Sequence, residues 1–422
     1  MGRRVLVLGG GGREHALAWR LAASPSVDAV FSAPGNPGMA RLGPCAKIDP
    51  TDVDAVADRA ERSDIDLVVV GPEAPLVAGV VDELQRRGFP AFGPSAAGAR
   101  IEGSKAFAKQ VMDDAGVPTA GYVATDDREV AQEALTRFAP PYVVKADGLA
   151  AGKGVRICGS LDEARDAVDD AIVRRRFGDA GAHVVVEEFL DGPERSVFGV
   201  CDGTDAVLLS PARDYKRIGD GDTGDNTGGM GAFAPVPGFG LTEVDGLTAE
   251  VFEPVLATLA ARGTPFRGLL YAGLVLTADG PKLLEFNARF GDPETQVILP
   301  RLASDLGDLL AASATGSVRD VEVSGHPDTA VTVVLASGGY PGSYENGVPI
   351  EGVDVAASHP DVEVFHAGTR VRDGRLVTAG GRVLNVTARG ADVTEARTRA
   401  YAAADAISFP GMTRRSDIAA DS

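Results

Sequence analysis

The sequence predicts a multidomain protein of mixed α/β and α+β class whose amino-terminal domain is a doubly wound parallel sheet. Residues 3–24 pass from a short apolar strand through a glycine-rich turn into an amphipathic helix. Residues 64–76 contain a nearly uninterrupted apolar run, which is typical of a strand buried on both faces of a parallel sheet. Near the other end, short strands punctuated by glycine precede an amphipathic helix at 393–407, which predicts a carboxyl-terminal mixed α/β domain.

Changes in pattern along the 422 residues predict three domains. The amino-terminal α/β domain is expected at 1–102, because a new helix begins just after Gly103. A central domain is expected at 103–325, where alternating strands and helices give way to a strand-rich stretch with a long glycine loop. The carboxyl-terminal domain is expected at 326–422.

The formal charge of −19 argues against binding to nucleic acid or to anionic membranes through bulk electrostatics. Any phosphate must therefore be bound by local basic sites. Three cysteines without a metal or disulfide pattern predict a reducing compartment, and no apolar run is long enough to span a membrane. We expect a cytoplasmic protein with no nucleic-acid or membrane partner. The sequence leaves the oligomeric state open, with a monomer as the expectation.

The glycine turn near the amino terminus invites a dinucleotide-binding interpretation, which the residues do not support. Gly9 and Gly11 fit the first two glycines of that motif, but Glu14 occupies the third position. The second strand ends at Pro34 without a carboxylate for a ribose hydroxyl. An oxidoreductase is therefore disfavoured. The helix amino terminus at Gly11 and Gly12 still predicts an anion site.

The segment Lys145–Gly154, KADGLAAGKG, predicts a polyphosphate site. Lys145 ends a β-branched strand, and the following loop carries Lys153 between Gly152 and Gly154, whose backbone amides can approach oxygens closely. It is not a Walker P-loop, because Gly154 stands where a serine or threonine would hold magnesium. The alternative is an ordinary hairpin with solvated lysines.

Lysine is rare in this chain, with seven lysines among 41 basic residues. Positions that keep an ammonium where arginine is otherwise preferred are candidates for sites that need a compact charge. Four lysines lie in glycine-rich or motif-like surroundings and are predicted to be functional: Lys105, Lys145, Lys153 and Lys216. The other three are expected on the surface: Lys47, Lys109 and Lys282.

Two further segments predict a metal site and a nucleobase site. In the strand LLEFN, Glu285 and Asn287 are two residues apart and share a face, so both can give oxygen ligands to one hard cation such as magnesium. Arg289 follows with the same parity and could reach an oxygen bridged by the metal. A salt-bridged, half-buried strand is the alternative. In Val184–Glu194, the backbone after the strand could read an adenine edge, and Glu194 could take ribose hydroxyls.

In this order, the motifs resemble the ATP-grasp family, and within it the branch that makes glycinamide ribonucleotide. The resemblance covers nearly the whole chain. It is carried by GGGGREHALAW, APGNPG, VGPEAPL, EGSKAF, KADGLAAGKG, EEFLDGPE, DYKRIGDGDTGDNTGGMGAF, YAGL, EFNARFGDPETQ and GGYPG. Two departures stand out: YAGL replaces an acidic metal ligand that many ATP-grasp enzymes carry, and Ala419 replaces a glycine in the tail.

The resemblance implies a central two-lobed ATP-grasp fold with a mobile lobe at about 120–190. ATP would lie between the lobes, with Lys105 and Lys145 at its phosphates and residues 150–154 as a flap. Glu285 and Asn287 would hold magnesium or manganese. The adenine hinge would be Glu187, Glu188, Phe189 and Leu190, and the other nucleotide contacts Gly152, Lys153, Gly154 and Glu194.

The resemblance also implies a reaction in which ATP phosphorylates glycine and the amine of 5-phosphoribosylamine then attacks the glycyl phosphate. Lys145 and Arg289 would stabilise the developing charge. Asp214 would bind the ammonium of glycine and Lys216 a carboxylate or phosphate. The phosphoribosylamine site would be framed by Gly11, Gly12, Asn36 and Glu73, and the substrate contacts would also include Asp214, Lys216 and Arg289. Another ATP-grasp carboxylate–amine ligase and a non-catalytic nucleotide-binding regulator remain as alternatives.

Overall fold

The computed structural model describes residues 2–148, 154–240, 244 and 246–422. Its amino-terminal part is a four-stranded parallel sheet in the order β2-β1-β3-β4, made of β1 (Arg3–Gly9), β2 (Val27–Pro34), β3 (Leu67–Val70) and β4 (Ala91–Phe92). Between and after these strands lie α1 (Gly12–Ala22), α2 (Val53–Arg62), α3 (Glu73–Val77), α4 (Val80–Arg86) and α5 (Ala96–Gly103). The side chains of β1 from Val5 to Leu8 are fully buried, because helices cover both faces of the sheet. The predicted doubly wound parallel sheet is confirmed.

A small antiparallel sheet follows, in the order β5-β8-β6-β7. It consists of β5 (Tyr122–Thr125), β6 (Tyr142–Ala146), β7 (Val155–Cys158) and β8 (Val184–Glu188). Helices α7 (Arg128–Ala134) and α8 (Leu161–Val168) pack on it and enclose a separate hydrophobic core. We call this unit, residues 120–190, the small lobe. The sheet runs from Tyr122 to Glu188, within the range of about 120–190 that the sequence predicts for the mobile lobe, and that range stays a prediction.

A larger antiparallel sheet, in the order β10-β9-β15-β16, forms the other half of the central region. It consists of β9 (Glu194–Asp202), β10 (Ala206–Leu208), β15 (Arg267–Thr277) and β16 (Gly280–Asn287). The associated helices are α6 (Lys105–Ala115), α9 (Glu253–Ala261), α10 (Thr295–Ile298) and α11 (Leu306–Thr315). Thr119, just before the small lobe, donates to the carbonyl of Leu283 in β16 at 2.6 Å, so the lobe is tied to the large sheet near its base.

The last sheet has the order β11-β14-β17-β21-β18. It combines β11 (Arg213–Asp214), β14 (Gly231–Ala234), β17 (Thr329–Ala336), β18 (Val362–His366) and β21 (Arg382–Gly390). Two hairpins lie outside it, β12 (Arg217–Gly219) with β13 (Thr223–Asn226), and β19 (Thr369–Arg372) with β20 (Arg375–Thr378). Helix α12 (Val353–Ala356) is short, whereas α13 (Val393–Ala404) packs on β17 and β21.

This sheet runs across the domain boundary that we place at 325/326. Strand β14 pairs antiparallel with β17, with Phe233 opposite Val331, and all four of its residues are buried. The carboxyl-terminal sheet therefore draws two strands from the central part of the chain, because an unpaired edge of β17 would leave backbone groups without partners. The three domain ranges, 1–102, 103–325 and 326–422, stay predictions from the sequence. No helix in the described part of the chain is both long enough and apolar enough to cross a bilayer.

Two buried histidines join α1 to β18. The Nδ1 atom of His15 accepts a hydrogen bond from the backbone N–H of His366 at 2.7 Å, and the two rings lie 5.6 Å apart. Burial, followed by repulsion from His366, lowers the pKa of His15 to about 3. Burial and then Arg41 lower the pKa of His366 to about 4. Both rings are therefore neutral in the folded protein at neutral pH.

We expect this pair to make the protein acid-labile. A histidine whose folded-state pKa lies below its unfolded value of about 6.5 gives stability above pH 6.5 that is lost as the pH falls toward the folded value. Within that pH window, each histidine should contribute about 1.4 kcal/mol per pH unit to the slope of the unfolding free energy against pH. Urea unfolding between pH 7.5 and about 4.5 measures the slope.

His15→Gln should flatten the slope, and His183→Gln, at an exposed position, should leave it unchanged. Equal slopes for the wild type and His15→Gln would contradict the assignment.

Candidate active site

Lys145 lies at the end of β6 with its ammonium buried against Glu187 of β8. The Nζ atom of Lys145 contacts one carboxylate oxygen of Glu187, and the Nζ atom of Lys109 contacts the other at 2.9 Å. Burial lowers the pKa of Lys145, but the attraction of Glu187 and then Glu285 outweighs it, so the net shift is upward. The same two lysines hold the pKa of Glu187 below its usual value despite its burial. Lys145 is thus a fixed, permanently charged group.

The prediction that Lys109 lies on the surface is wrong. Lys109 is only 2% exposed, and besides Glu187 it donates to the hydroxyl of Thr119 at 2.8 Å. Its partner Glu187 comes from a strand in the small lobe, whereas Lys109 lies on α6. The helical pattern around Lys109 gave no sign of a buried carboxylate far along the chain.

Helix α6 begins at the second predicted phosphate lysine, Lys105. Asp147, which follows β6, accepts hydrogen bonds from the Ala106 N–H at 2.6 Å and from the Ser104 hydroxyl at 3.0 Å. The motifs EGSKAF and KADG are therefore joined by a carboxylate at a helix amino terminus. Burial lowers the pKa of Lys105, and repulsion from Lys145 acts in the same direction although Glu285 opposes both. An incoming polyanion would relieve that repulsion.

Glu285 and Asn287 point from the same face of β16, while Phe286 between them is buried in the core on the other face. Asn287 lies opposite Tyr271, and Glu285 lies opposite Gly273, where the neighbouring strand has no side chain to block it. The described residues contain no cluster of three or more histidine, cysteine, aspartate or glutamate side chains that could hold a metal alone. A carboxylate and an amide oxygen suit a hard cation that takes its other ligands from phosphates and water.

Arg289 is held by two carboxylates from the amino-terminal part of the chain. Its guanidinium lies 2.9 Å from Glu102 and 3.4 Å from Glu73, and donates to the Asn287 side-chain oxygen at 3.4 Å. Burial raises the pKa of Glu102. The pKa of Glu73 is lowered, because Arg289 and Arg13 together outweigh its burial. The predicted substrate residue Glu73 is thus brought beside the predicted catalytic arginine.

Asp214, Lys216 and Glu194 form one ion-paired cluster. The Nζ atom of Lys216 lies 2.8 Å from Glu194 and 3.2 Å from Asp214. Burial opposes the charge on Lys216, but Asp214, Tyr271, Glu194 and Glu285 together raise its pKa well above the usual value. Burial raises the pKa of Asp214. Glu194, predicted at the ribose, has one oxygen committed to Lys216.

Sequence reasoning missed Glu294 and Tyr271. Glu294 is 3% exposed, and burial, followed by repulsion from Asp214, raises its pKa to about 7. The Tyr271 hydroxyl lies 2.8 Å from the hydroxyl of Ser196, and burial raises its pKa well above normal. Glu294 belongs to the motif GDPETQ, and Tyr271 begins YAGL. Those motifs were the available signal, but only the fold brings both residues to Asp214.

The amino-terminal glycine turn is already occupied by protein groups. The Gly11 N–H donates to the carboxylate of Glu14 at 2.6 Å. A side chain at Gly12 would collide with Asn385, because its Cβ would lie only 2.3 Å from the amide nitrogen of that residue. Asn36 donates to the carbonyls of Gly10 and His366 at 2.9 and 2.8 Å. These contacts join the turn to the carboxyl-terminal sheet. The anion site that the sequence predicts at this turn stays a prediction.

The remaining predicted residues that the structure describes lie in the small lobe. Glu188 ends β8, and Phe189 and Leu190 follow it. A cavity of about 550 Å³ is lined by Glu188 and Phe189 together with Phe138 and Pro140. Gly154 accepts a hydrogen bond from the Ala146 N–H at 2.8 Å, which continues the pairing of β6 with β7. Gly152, Lys153 and most of the predicted flap at 150–154 lie outside the described residues.

A small antiparallel lobe facing a larger sheet, with lysines on one side and a Glu-x-Asn pair on the other, defines an ATP-grasp enzyme. Family models agree. The phosphoribosylglycinamide synthetase N domain matches residues 3–102, the ATP-grasp (A) domain 103–295 and the C domain 330–421. The chain belongs to the phosphoribosylglycinamide synthetase family.

Relatives and solved structures agree with this assignment. The chain is 52% identical over 421 residues to phosphoribosylamine–glycine ligase of Streptomyces coelicolor, covering 99% of each chain. It is 49% identical over 415 residues to the ligase of Agrobacterium fabrum, covering 98% of this chain and 97% of the relative. The crystal structure of phosphoribosylamine–glycine ligase from Thermotoga maritima matches with a TM-score of 0.84 at 36% identity, covering 98% of this chain and 100% of that one.

A more distant structure shares the fold alone. The biotin carboxylase domain of Hydrogenobacter thermophilus 2-oxoglutarate carboxylase, solved with MgADP and bicarbonate, has a TM-score of 0.73 at 16% identity, covering 98% of this chain and 92% of that one.

Proposed function

We propose that this chain is an ATP-dependent ligase that joins glycine to 5-phosphoribosylamine and releases glycinamide ribonucleotide, ADP and phosphate. The observation that carries the proposal is the position of Glu285. Its charge acts on Lys105 and Lys145 on the nucleotide side and on Lys216 on the acceptor side. One carboxylate is therefore close enough to act on both sets of lysines, which supports placing the groups for phosphate and those for the small substrate near each other, as phosphoryl transfer between them requires. The names of the full-length relatives support the same reaction.

ATP is proposed to lie between the small lobe and the large sheet. Lys105 and Lys145 would neutralise its phosphates. Because the Glu187 carboxylate is used by two lysines, the hinge from Glu187 to Leu190 would read adenine through its backbone. The second oxygen of Glu194 is the one available to ribose hydroxyls.

A divalent cation fits Glu285 and Asn287. Both side chains offer hard oxygen ligands from one face of β16, and the pair suits magnesium or manganese equally. When bound, the cation would draw charge from the phosphates of ATP. Arg289, already in contact with Asn287, would hold the amide oxygen toward the metal.

The acceptor end is proposed at Asp214, Lys216 and Glu294. Asp214 would take the ammonium of glycine, and Lys216 its carboxylate. Attack on glycyl phosphate requires the amine of phosphoribosylamine to lose a proton. Glu294, whose pKa is raised to about 7 by burial and by Asp214, is suited to take that proton near neutral pH. Closure over the site would protect glycyl phosphate from water.

The test is ADP release by the purified chain with ATP and magnesium. We expect release only when glycine and 5-phosphoribosylamine are both present. Release with another carboxylate and amine would identify a different ATP-grasp ligase. Nucleotide binding without turnover on any pair would indicate a non-catalytic regulator.

Lys216→Ala should raise the KM for glycine by about tenfold or more, because it removes a charge-assisted contact to the substrate. The KM for ATP should rise by less than about threefold, through the freed Glu194. Steady-state kinetics with each substrate varied in turn measures both. Lys47→Ala, at an exposed position, is the control. An equal rise for both substrates would refute the assignment of Lys216 to glycine.

The cellular location, solubility and oligomeric state of the chain are part of the same proposal. The described cysteines are free, with Cys45 exposed and Cys158 and Cys201 buried, which suits a reducing cytoplasm. The charge of −19 favours a soluble, unassociated chain. We propose a cytoplasmic monomer, and light scattering after size-exclusion chromatography would give its mass.

A further inference from the structure

The carboxyl-terminal tail, residues 413–421, lies against the segment that carries Asp214 and Lys216. After Thr413, which pairs with Ala336 of β17, the tail passes along the hairpin β12–β13. Beyond Thr413 its contacts go to the segment 213–222 and to helix α13, where Arg397 donates to the carbonyls of Ser416 and Ile418 and the Tyr401 hydroxyl donates to the carbonyl of Arg415.

Arg415 is the centre of this contact. It is 1% exposed and has the largest side chain among the fully buried residues of the described chain. Its guanidinium forms a two-pronged pair with Asp417 at 2.7 and 2.6 Å, and donates to Asp222 at 2.6 Å and to the carbonyl of Arg217 at 3.2 Å. It also lies 4.9 Å from the centre of the Tyr215 ring. Four of the five N–H groups of the guanidinium therefore donate hydrogen bonds.

The tail residues beyond Arg415 continue the same contact. Asp417 accepts from the Gly221 N–H at 2.8 Å, and Asp220 accepts from the Ser416 N–H at 2.8 Å. The Tyr215 hydroxyl donates to Asp421 at 2.8 Å and accepts from the Ala419 N–H at 3.0 Å. Ala419, the tail departure noted in the sequence, still supplies this backbone bond at a φ of 57°.

The contacts of the segment 213–217 divide its side chains between two faces. Arg213 and Tyr215 point to the tail, where both reach Asp421. Asp214 and Lys216 point the other way and pair with each other. The tail therefore contacts the face of this segment opposite to the charged side chains of Asp214 and Lys216. It can hold those side chains in position without touching a substrate.

We infer that Arg415 is a positioning residue for the ligase reaction: by holding Tyr215 and the Arg217 backbone, it fixes where Asp214 and Lys216 meet glycine. This inference rests on the proposed function for its kinetic part only. A displacement of about 1 Å at a binding group is enough to lower a rate or an affinity by up to about a hundredfold.

The first test compares Arg415→Gln with Arg414→Gln in the full chain. Arg414 is the neighbouring residue, but it pairs with Asp405 and lies over Tyr401 instead of the hairpin. Arg415→Gln should raise the KM for glycine by about tenfold and leave the affinity for ATP within about twofold. Arg415→Lys, which keeps the charge without the fork, should fall between Arg415→Gln and the wild type. Arg414→Gln should change neither constant.

A second measurement is independent of catalysis. Hydrogen exchange of the backbone amides at 213–227 should become faster in Arg415→Gln, while exchange in the small lobe stays unchanged. If the wild type shows no glycine-dependent ADP release, the proposed function fails, but the exchange result still decides whether Arg415 holds the strand.

Two outcomes would overturn the inference. One is an Arg415→Gln variant that matches Arg414→Gln in both the KM for glycine and the exchange at 213–227. The other is an equal loss of affinity for ATP and glycine, which would indicate general destabilisation.

If Arg415→Gln does not fold, Tyr215→Phe is the replacement test. It removes only the hydroxyl that bonds Asp421 and Ala419, and it should raise the KM for glycine by about threefold. An unchanged KM and unchanged exchange in Tyr215→Phe would refute the inference.

Discussion

Lys145→Met should lower kcat/KM for ATP by about a hundredfold to a thousandfold, because it removes a buried, permanently charged donor from the proposed phosphate site. The fold should survive, since Glu187 keeps its contact with Lys109 at 2.9 Å. Steady-state ADP release at varied ATP measures the loss, and circular dichroism confirms the fold. Lys145→Arg should restore little of the lost kcat/KM for ATP, because a planar guanidinium is larger than the ammonium that is buried beside Glu187.

Lys282→Met is the matched control, since it replaces a lysine of β16 for which no ion pair is found among the described residues. It should keep wild-type kcat/KM for ATP. A Lys145→Met enzyme with more than about one third of wild-type activity would contradict a role for this ammonium at the phosphates.

Arg289→Met should cost about 3 kcal/mol of unfolding free energy as well as activity. The reason is that Glu102, the more buried of the two carboxylates that contact Arg289, would be left without its 2.9 Å partner. Urea unfolding at pH 7.5 measures the cost. Arg289→Lys, which keeps a positive charge near Glu102, should lose less unfolding free energy than Arg289→Met.

The pH dependence distinguishes this cause from a simple packing defect. The pKa of Glu102 is already raised by burial, and without the guanidinium it should rise further. The folded variant then binds a proton more readily than the unfolded chain, so its stability deficit should shrink as the pH falls through the folded-state pKa. Arg370→Met, at an exposed position, should be unaffected at any pH. A deficit that stays constant between pH 7.5 and about 5 would rule out an unpaired carboxylate as its cause.

Features that depend on local periodicity could be predicted from the sequence. The apolar run before Gly71 became β3 because a strand covered on both faces needs no polar side, and Leu67–Val70 is buried throughout. Glu285 and Asn287 share a face of β16 because side chains alternate along any strand. Lys145 stands at a strand end as expected, since the β-branched run before it fixed the strand.

Long-range pairing could not be predicted in the same way. Lys109 looked like a surface residue because nothing near it on α6 reveals that Glu187 approaches from another lobe. Strands β11 and β14 lie within the central stretch of sequence, yet they complete the carboxyl-terminal sheet. Hydrogen-bond partners of a sheet edge depend on the arrangement of whole domains, which no local pattern records.

The sequence alone determined the class of the protein, the order of its motifs and the residues predicted to bind phosphate and a divalent cation, because those depend on composition and spacing. Only the tertiary structure decided how the charges are shared. It placed Glu73 and Glu102 in contact with Arg289, Glu294 near Asp214, and Arg415 against the backbone of Arg217, the residue after Lys216. Electrostatic energies depend on distance and burial in space, and the fold sets both quantities for residues that are far apart along the chain.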